Sequence, residues 1–176
     1  AADRHLPQYT ELLTQLIAHS GAAQLTVAAP TPAKLELALA GGADEIVLLD
    51  RADTAASMDR LSSLGPDGYD LVIDATGATS VLQHTLALTR TGGTVFVYGM
   101  TAESASWPVA PYDIFRRELT IKGSFAQQFS FDRALAYLRS GRVDTTGMVT
   151  NRFTLDDYAG ALTAVADSSC VKAVIK

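Results

Sequence analysis

Residues 69–101, YDLVIDATGATSVLQHTLALTRTGGTVFVYGMT, decide the fold of this chain. The stretch opens with an apolar run at 69–75 and closes with another at 94–99. A helical pattern lies between them, opened by a predicted capping box at Ser80–Gln83 and stopped by Thr91-Gly92-Gly93. Strands that are apolar nearly throughout are typical of parallel sheets, because helices cover both faces of such sheets. The stretch therefore predicts one βαβ unit.

The same alternation of strands and helices continues on both sides of this stretch. Further helices are predicted at 9–20, 32–40, 53–64, 111–117, 130–139 and from Thr154 onward. Further strands are predicted at 25–29, 45–49, 119–125, 148–153 and 171–175. The pattern predicts an α/β fold with a Rossmann-type, doubly wound parallel sheet and a small C-terminal α+β appendage. We divide the chain into an irregular segment at 1–8, a cofactor domain at 9–142 and a C-terminal segment at 143–176.

Composition and charge exclude several classes of protein. The 176 residues are 48% hydrophobic, which is enough for one globular domain with a sizeable core. The net charge is −5, and Arg116-Arg117 is the only basic pair, so nucleic acid is not an expected partner. No apolar run approaches the roughly 18 residues of a membrane span, and no signal-peptide pattern opens the chain. We therefore expect no membrane partner and a cytoplasmic location.

Cysteine and histidine are too sparse for a metal site within this chain. Cys170 is the only cysteine, so neither a disulfide framework nor a cysteine-built zinc site can form. His5, His19 and His84 lie far apart in sequence and lack the spacing of metal ligands. We predict no metal-binding residue here.

Two turns that follow predicted strands are candidates for ligand binding. In an open parallel sheet, ligands bind beyond the carboxyl ends of the strands. Residues 76–80, TGATS, place a glycine and three hydroxyls directly after one strand, and Tyr98-Gly99-Met100-Thr101 repeats the arrangement one strand later. The alternative is that both are ordinary turns that use glycine and capping residues.

Two features of a standard dinucleotide site are absent. The sequence contains no G-x-G-x-x-G phosphate loop, so we expect the first strand and glycine loop of the fold to be missing. Ala29 stands at the end of strand 25–29, where an acidic residue would bind the 2′-hydroxyl of NAD. Thr31 and Lys34 could instead accept a 2′-phosphate. The alternative is that Thr31 only caps a helix and Lys34 is only a solvated side chain.

The run Gly68–Thr101 closely resembles the medium-chain dehydrogenase/reductase family, specifically its zinc-dependent alcohol and polyol dehydrogenases. The likeness extends upstream through LTQLIAHSGAAQLTVAAPTPAKLELALAGGADEIV. Downstream it includes LTIKGSF, LRSGRVD, RFTLDDYAGALTAV and VKAVI, so that it covers roughly residues 11–176. The resemblance implies an NAD(P)-dependent oxidoreductase that transfers hydride between an alcohol or polyol and nicotinamide.

The resemblance also implies roles for individual residues around NAD or NADP. The turn Ala75-Thr76-Gly77 would line the adenosine side of the cofactor, and Tyr98-Gly99-Met100 would lie beside the nicotinamide ring. Ser124-Phe125-Ala126 would offer backbone groups to the carboxamide. Lys172 matches a basic position that can contact the pyrophosphate.

No catalytic residue is expected in this chain. In the family, a separate catalytic domain holds the zinc, and its ligands are missing here. The resemblance implies a parent enzyme that binds a small alcohol or polyol and forms a homodimer or homotetramer. The alternative function is a degenerate, non-catalytic Rossmann-like domain used for dimerisation or assembly. A further alternative is that the sequence omits stretches of a longer chain, with a join between Gln8 and Glu11.

Overall fold

A computed structural model describes residues 7–50, 52–125, 129–167, 170 and 172–176. They belong to two compact units, each assembled from segments that are separate in sequence. Unit 1 contains Ala1–Val27, Glu36–Glu45 and Phe129–Lys176, and unit 2 contains Ala28–Leu35 and Ile46–Gln128. The division into 1–8, 9–142 and 143–176 stays a prediction.

Helices and strands alternate along most of the described chain, as the sequence predicts. The helices are α1 (Pro7–Ala18), α2 (Pro32–Ala40), α3 (Thr54–Leu64), α4 (Thr79–Leu82), α5 (Thr85–Leu88), α6 (Pro111–Arg117), α7 (Phe131–Arg139) and α8 (Tyr158–Val165). The strands are β1 (Thr26–Ala29), β2 (Glu45–Leu48), β3 (Tyr69–Asp74), β4 (Thr89–Val97), β5 (Thr120–Gly123), β6 (Asn151–Phe153) and β7 (Ala173–Ile175). Within the described ranges, no helix combines the length and the apolar character of a membrane span.

The sheets confirm the predicted α/β class. Strands β3, β4 and β5 form a three-stranded parallel sheet in that order, with Val72 opposite Val95 and Val95 opposite Ile121. Strands β6 and β7 form a parallel pair, and β1 pairs with β2. The chain therefore has the parallel strand pairing and intervening helices of a Rossmann-type fold.

The core of unit 2 is a cluster of buried apolar side chains. They come from β2, from the residue directly after it, and from α3 and α5: Val47, Leu49, Met58, Leu61 and Leu88. Ala28 and Val72 pack against this cluster from two different strands. Helix α3 is fixed at its start by Asp53, whose carboxylate accepts a hydrogen bond from the amide of Ala56 at 3.0 Å.

The predicted single helix between β3 and β4 is wrong. Two short helices, α4 and α5, replace it, and Ser80 lies inside α4 after Ala78, so the predicted capping box does not form. The hydroxyls of Thr85 and Thr89 donate to the carbonyls of Leu82 and Thr85, both at 2.7 Å. Threonine side chains that bond to backbone carbonyls compete with regular helix, which explains the break.

Strand β4 also starts earlier than the sequence predicts, at Thr89 rather than residue 94. Thr89 lies opposite Tyr69, and the register then shifts before Leu71 pairs with Thr94. Gly92, which was predicted to stop a helix, has a φ of +74° inside this irregular part of the strand. The glycines therefore serve a bulge in a strand, a role that local sequence does not distinguish from a helix stop.

In unit 1, α1 is fixed to the segment after α7 by one side chain. Helix α1 begins at Pro7, earlier than predicted, and runs without interruption through Gln8 and Glu11. Gln15 donates to the carbonyl of Asp144 at 3.0 Å and accepts from its amide at 2.6 Å. This reciprocal pair holds two segments that are 129 residues apart in sequence.

Candidate functional site

The candidate site lies at the carboxyl ends of β3 and β4. These strands run parallel, so both end at the same edge of the sheet. The carbonyl of Asp74 accepts hydrogen bonds from the amides of Tyr98 at 2.9 Å and Gly99 at 2.7 Å. The structure therefore brings together the two turns that the sequence singles out, Ala75-Thr76-Gly77 and Tyr98-Gly99-Met100.

The two turns touch through their glycines. Gly77 has a φ of +68°, and a Cβ built on it would overlap the carbonyl oxygen of Met100 and lie 2.7 Å from its carbonyl carbon. A Cβ built on Gly99 would lie 2.9 Å from the Cα of Gly77 and 2.9 Å from the carbonyl carbon of Ala75. Both glycines are required because the backbones leave no room for a side chain.

A carboxylate that sequence reasoning missed fixes the first turn. Asp74 is only 1% exposed, and its Oδ1 accepts hydrogen bonds from the amide and the hydroxyl of Thr76, at 2.9 and 2.6 Å. The Thr76 hydroxyl in turn accepts a bond from the amide of Ala78 at 3.0 Å. The signal in the sequence is a single acid at the end of an apolar strand, directly before Ala-Thr-Gly.

The other oxygen of this carboxylate, Oδ2, is buried and has no hydrogen-bond partner among the residues that the structure describes. A buried polar atom without a partner is costly, so native structures supply one in nearly every case. The turn therefore provides hydrogen-bond donors for Oδ1 of Asp74, whereas Oδ2 is an acceptor to which the described residues provide no donor.

The end of β1 has no carboxylate, as the sequence predicts. Ala29 is 3% exposed and closes the strand. Thr31 is exposed, and its carbonyl accepts a hydrogen bond from the amide of Leu35 at 3.3 Å, in the first turn of α2. Lys34 is half-buried in the same turn. An acid does follow the neighbouring strand β2, where the carboxylate of Asp50 accepts a hydrogen bond from the amide of Ala52 at 2.7 Å.

The remaining predicted cofactor residues have different surroundings. The amide of Ser124 donates to the carbonyl of Val97 at 3.2 Å, so this amide is engaged within the sheet. The side chain of Phe125 is 86% exposed, and Ala126 lies outside the described residues. Lys172 belongs to unit 1, where its carbonyl accepts from the amide of Thr150 at 3.0 Å.

A zinc ion does not fit the described part of the chain. No group of three His, Cys, Asp or Glu side chains is placed to hold a metal there. Cys170 is buried, and Thr150 contacts its sulfur at 3.9 Å. We derive no metal-dependent step from these residues.

Comparison with known proteins gives one family and a consistent set of relatives. Residues 11–140 match the zinc-binding dehydrogenase family. D-arabinitol dehydrogenase 1 of Uromyces fabae is 39% identical over 94% of this chain and 48% of its own length. Mouse sorbitol dehydrogenase is 30% identical over 94% of this chain and 46% of its own. The chain thus spans about half the length of the curated relatives it matches.

Solved structures agree with this comparison. A zinc-binding dehydrogenase of Sinorhizobium meliloti, crystallised with NADP, superposes with a TM-score of 0.80 at 26% identity, over 94% of this chain and 48% of that one. A zinc-binding dehydrogenase of Clostridium scindens superposes with a TM-score of 0.81 at 28% identity, over 94% and 46% of the two chains.

Proposed function

The chain belongs to the zinc-binding dehydrogenase family, and we propose that it is the cofactor-binding part of an NAD(P)-dependent oxidoreductase acting on an alcohol or polyol. The contact between the turns at Gly77 and Gly99 carries this proposal. It places two glycines, which have no side chains, at the carboxyl ends of two parallel strands, where nucleotides bind in doubly wound folds. The relatives named as arabinitol and sorbitol dehydrogenases support the substrate class.

In this proposal, the residues of the chain bind and orient the cofactor. When bound, a nicotinamide nucleotide supplies the carbon that accepts or returns hydride. The adenosine side would lie against Ala75-Thr76-Gly77 and the nicotinamide side against Tyr98-Gly99-Met100. The Asp74 carboxylate and the Thr76 hydroxyl hold the first turn in shape, so that the backbone need not reorganise on binding.

We infer further that the site tolerates the 2′-phosphate of NADP. A carboxylate at the end of β1 would repel that phosphate, and Ala29 provides none. Thr31 and Lys34 follow directly in the first turn of α2 and could bind it. The Sinorhizobium meliloti relative binds NADP, which supports the same interpretation.

The zinc site, the substrate pocket and the oligomeric assembly are proposed for the whole protein. We place the zinc ligands and the substrate pocket in a further domain, since relatives are about twice as long as this chain. A cytoplasmic homodimer or homotetramer remains the proposal made from the sequence. The described residues would then contribute cofactor orientation and no catalytic group.

Thermal unfolding with and without nucleotide tests the cofactor proposal. NADPH should raise the melting temperature, because a ligand present at 100 times its Kd stabilises the native state by about 2.7 kcal/mol. Lys34→Glu should reduce the effect of NADPH more than that of NADH. Lys176→Glu makes the same charge change in unit 1 and should leave both effects unchanged. Equal melting temperatures with and without either nucleotide would refute the proposal.

A second candidate function is assembly through β5, the outermost strand of the three-stranded sheet. All four residues of β5 are exposed, including Ile121, and among the described residues β5 pairs with β4 alone. An exposed edge strand is a template for pairing with another chain. Mass photometry separates the two functions: a dimer that forms regardless of nucleotide favours assembly, and a nucleotide-dependent stabilisation favours binding.

A further inference from the structure

Asp67-Gly68 is the one Asp-Gly pair in the sequence, and it lies in the turn between α3 and β3. In such a pair, the glycine amide nitrogen can attack the side-chain carboxyl carbon of the aspartate, because glycine has no Cβ to obstruct the ring that forms. The attack releases one water and gives a five-membered succinimide. Water then opens the ring at either carbonyl. The chain returns to aspartate or becomes isoaspartate, in which the main chain runs through the former side chain.

The native turn withholds the nitrogen that this reaction needs. The amide of Gly68 donates to the carbonyl of Gly65 at 2.9 Å and closes a four-residue turn, Gly-Pro-Asp-Gly, whose proline and final glycine are typical of such turns. Gly68 has a φ of +81°, and a Cβ built on it would lie 2.6 Å from the amide nitrogen of Arg90. Its backbone is therefore packed against the start of β4, and it cannot rotate toward the Asp67 carboxyl group while the turn is closed.

The tip of this turn is exposed to solvent, whereas its flanks are fixed. The Tyr69 hydroxyl donates to the carbonyl of Leu61 at 2.9 Å, and the Gly65 amide donates to the same carbonyl at 3.1 Å. Pro66 and Asp67 are exposed, and no group among the described residues bonds to the Asp67 carboxylate. Both reacting groups thus belong to one short surface turn, which a local opening releases without unfolding of the sheet.

We propose that Asp67 is a spontaneous modification site, at which the chain forms isoaspartate through a succinimide whenever the turn at 65–68 opens. Water is the only co-reactant, and the water taken up in ring opening balances the water released in ring closure. The product exposes a free α-carboxylate, which is the group that isoaspartyl methyltransferases methylate. The added main-chain atom lies two residues before Tyr69, which pairs with Thr89 at the start of β3, so we expect modified chains not to re-form this pair. This inference does not depend on cofactor binding.

The rate of isoaspartate formation in the native and the unfolded chain tests the proposal. The purified chain is incubated at neutral pH in buffer and in enough urea to unfold it, beside the capped peptide Leu-Gly-Pro-Asp-Gly-Tyr-Asp-Leu. In digested samples, an isoaspartyl methyltransferase transfers labelled methyl groups from S-adenosylmethionine to isoaspartate, and electron-transfer fragmentation locates the residue. The unfolded chain should form isoaspartate within about a factor of two of the peptide's rate, and the native chain at least about tenfold more slowly, because the turn must open first.

Three variants test the site and the role of the turn. Asp67→Glu should abolish the labelling of the unfolded chain, because glutamate closes a larger, six-membered ring far more slowly. Asp70→Glu makes the same change at an exposed carboxylate three residues later, and the unfolded chain should then label like the wild type. Pro66→Ala loosens the turn and should speed labelling of the native chain about threefold, with no change in the unfolded chain. Native labelling at the peptide's rate, labelling retained in Asp67→Glu, or an unchanged native rate in Pro66→Ala would each overturn the proposal.

Discussion

The contact between Gly77 and Met100 predicts a large and specific effect for Gly77→Ala. At a φ of +68°, alanine costs about 1–2 kcal/mol because its Cβ approaches the following carbonyl. The new methyl group would also lie 2.7 Å from the carbonyl carbon of Met100, where an ordinary contact needs about 3.5 Å or more. The turns must then separate, and overpacking of this kind costs a further 1–3 kcal/mol or so. We expect a total loss of roughly 2–5 kcal/mol, with loss of NADPH binding.

Gly141→Ala is the matched control for this variant. Gly141 has nearly the same φ, +70°, but a Cβ built on it meets no atom of the described residues within 4 Å. Urea unfolding of both variants therefore separates backbone strain from the contact between the turns. If Gly77→Ala and Gly141→Ala lose the same free energy within about 0.5 kcal/mol, or if Gly77→Ala binds NADPH normally, the proposed contact is refuted.

Three further variants probe hydrogen bonds and charge. Thr76→Val removes both hydrogen bonds of the hydroxyl and should cost about 1–3 kcal/mol in urea unfolding, whereas Thr76→Ser should cost much less. Gln15→Leu removes the side-chain amide that bonds to the backbone amide and carbonyl of Asp144, and it should also lower the free energy of unfolding by about 1–3 kcal/mol. The control Gln24→Ala, at an exposed position, should lower it by almost nothing. Burial, and secondly the charge of Asp144, raise the pKa of Glu11, so that its ionised form destabilises the native state. Glu11→Gln should therefore have a higher free energy of unfolding than the wild type at pH 7. It should lose this advantage below about pH 4, where Glu11 is protonated in both the native and the unfolded state. A difference in the free energy of unfolding that does not change with pH would contradict this.

Local signals in the sequence predict some elements to the residue. Helix α2 starts at Pro32, after Thr31, and α6 starts at Pro111, because proline at the first helical position costs no hydrogen bond. Both helices end where the sequence predicts, at Ala40 and Arg117. These elements depend on nearby residues, which the sequence displays directly.

Elements that depend on distant contacts are predicted poorly. Thr89 begins β4 because it lies opposite Tyr69, twenty residues earlier, and the Gly92 region then forms a bulge. A window around Thr89 shows only the end of a helical pattern followed by glycines. The start of the strand therefore could not be read from local sequence.

The candidate site shows the same contrast. Gly77 and Gly99 are visible in the sequence as glycines after strands, and the predicted parallel pairing brings them to one edge. Asp74 was missed, because its role depends on burial and on the Thr76 hydroxyl, which only the folded turn brings within 2.6 Å. Its unpartnered oxygen could not be predicted without the arrangement of the sheet.

Amide chemical shifts of the isotope-labelled chain, followed during titration with NADPH, test most directly whether a nicotinamide nucleotide binds at the carboxyl edge of this sheet. We predict saturable shifts that cluster at Gly77, Gly99 and Met100, with a weaker response at Thr31. Unchanged resonances at both glycines up to millimolar NADPH, or shifts confined to unit 1, would contradict the account.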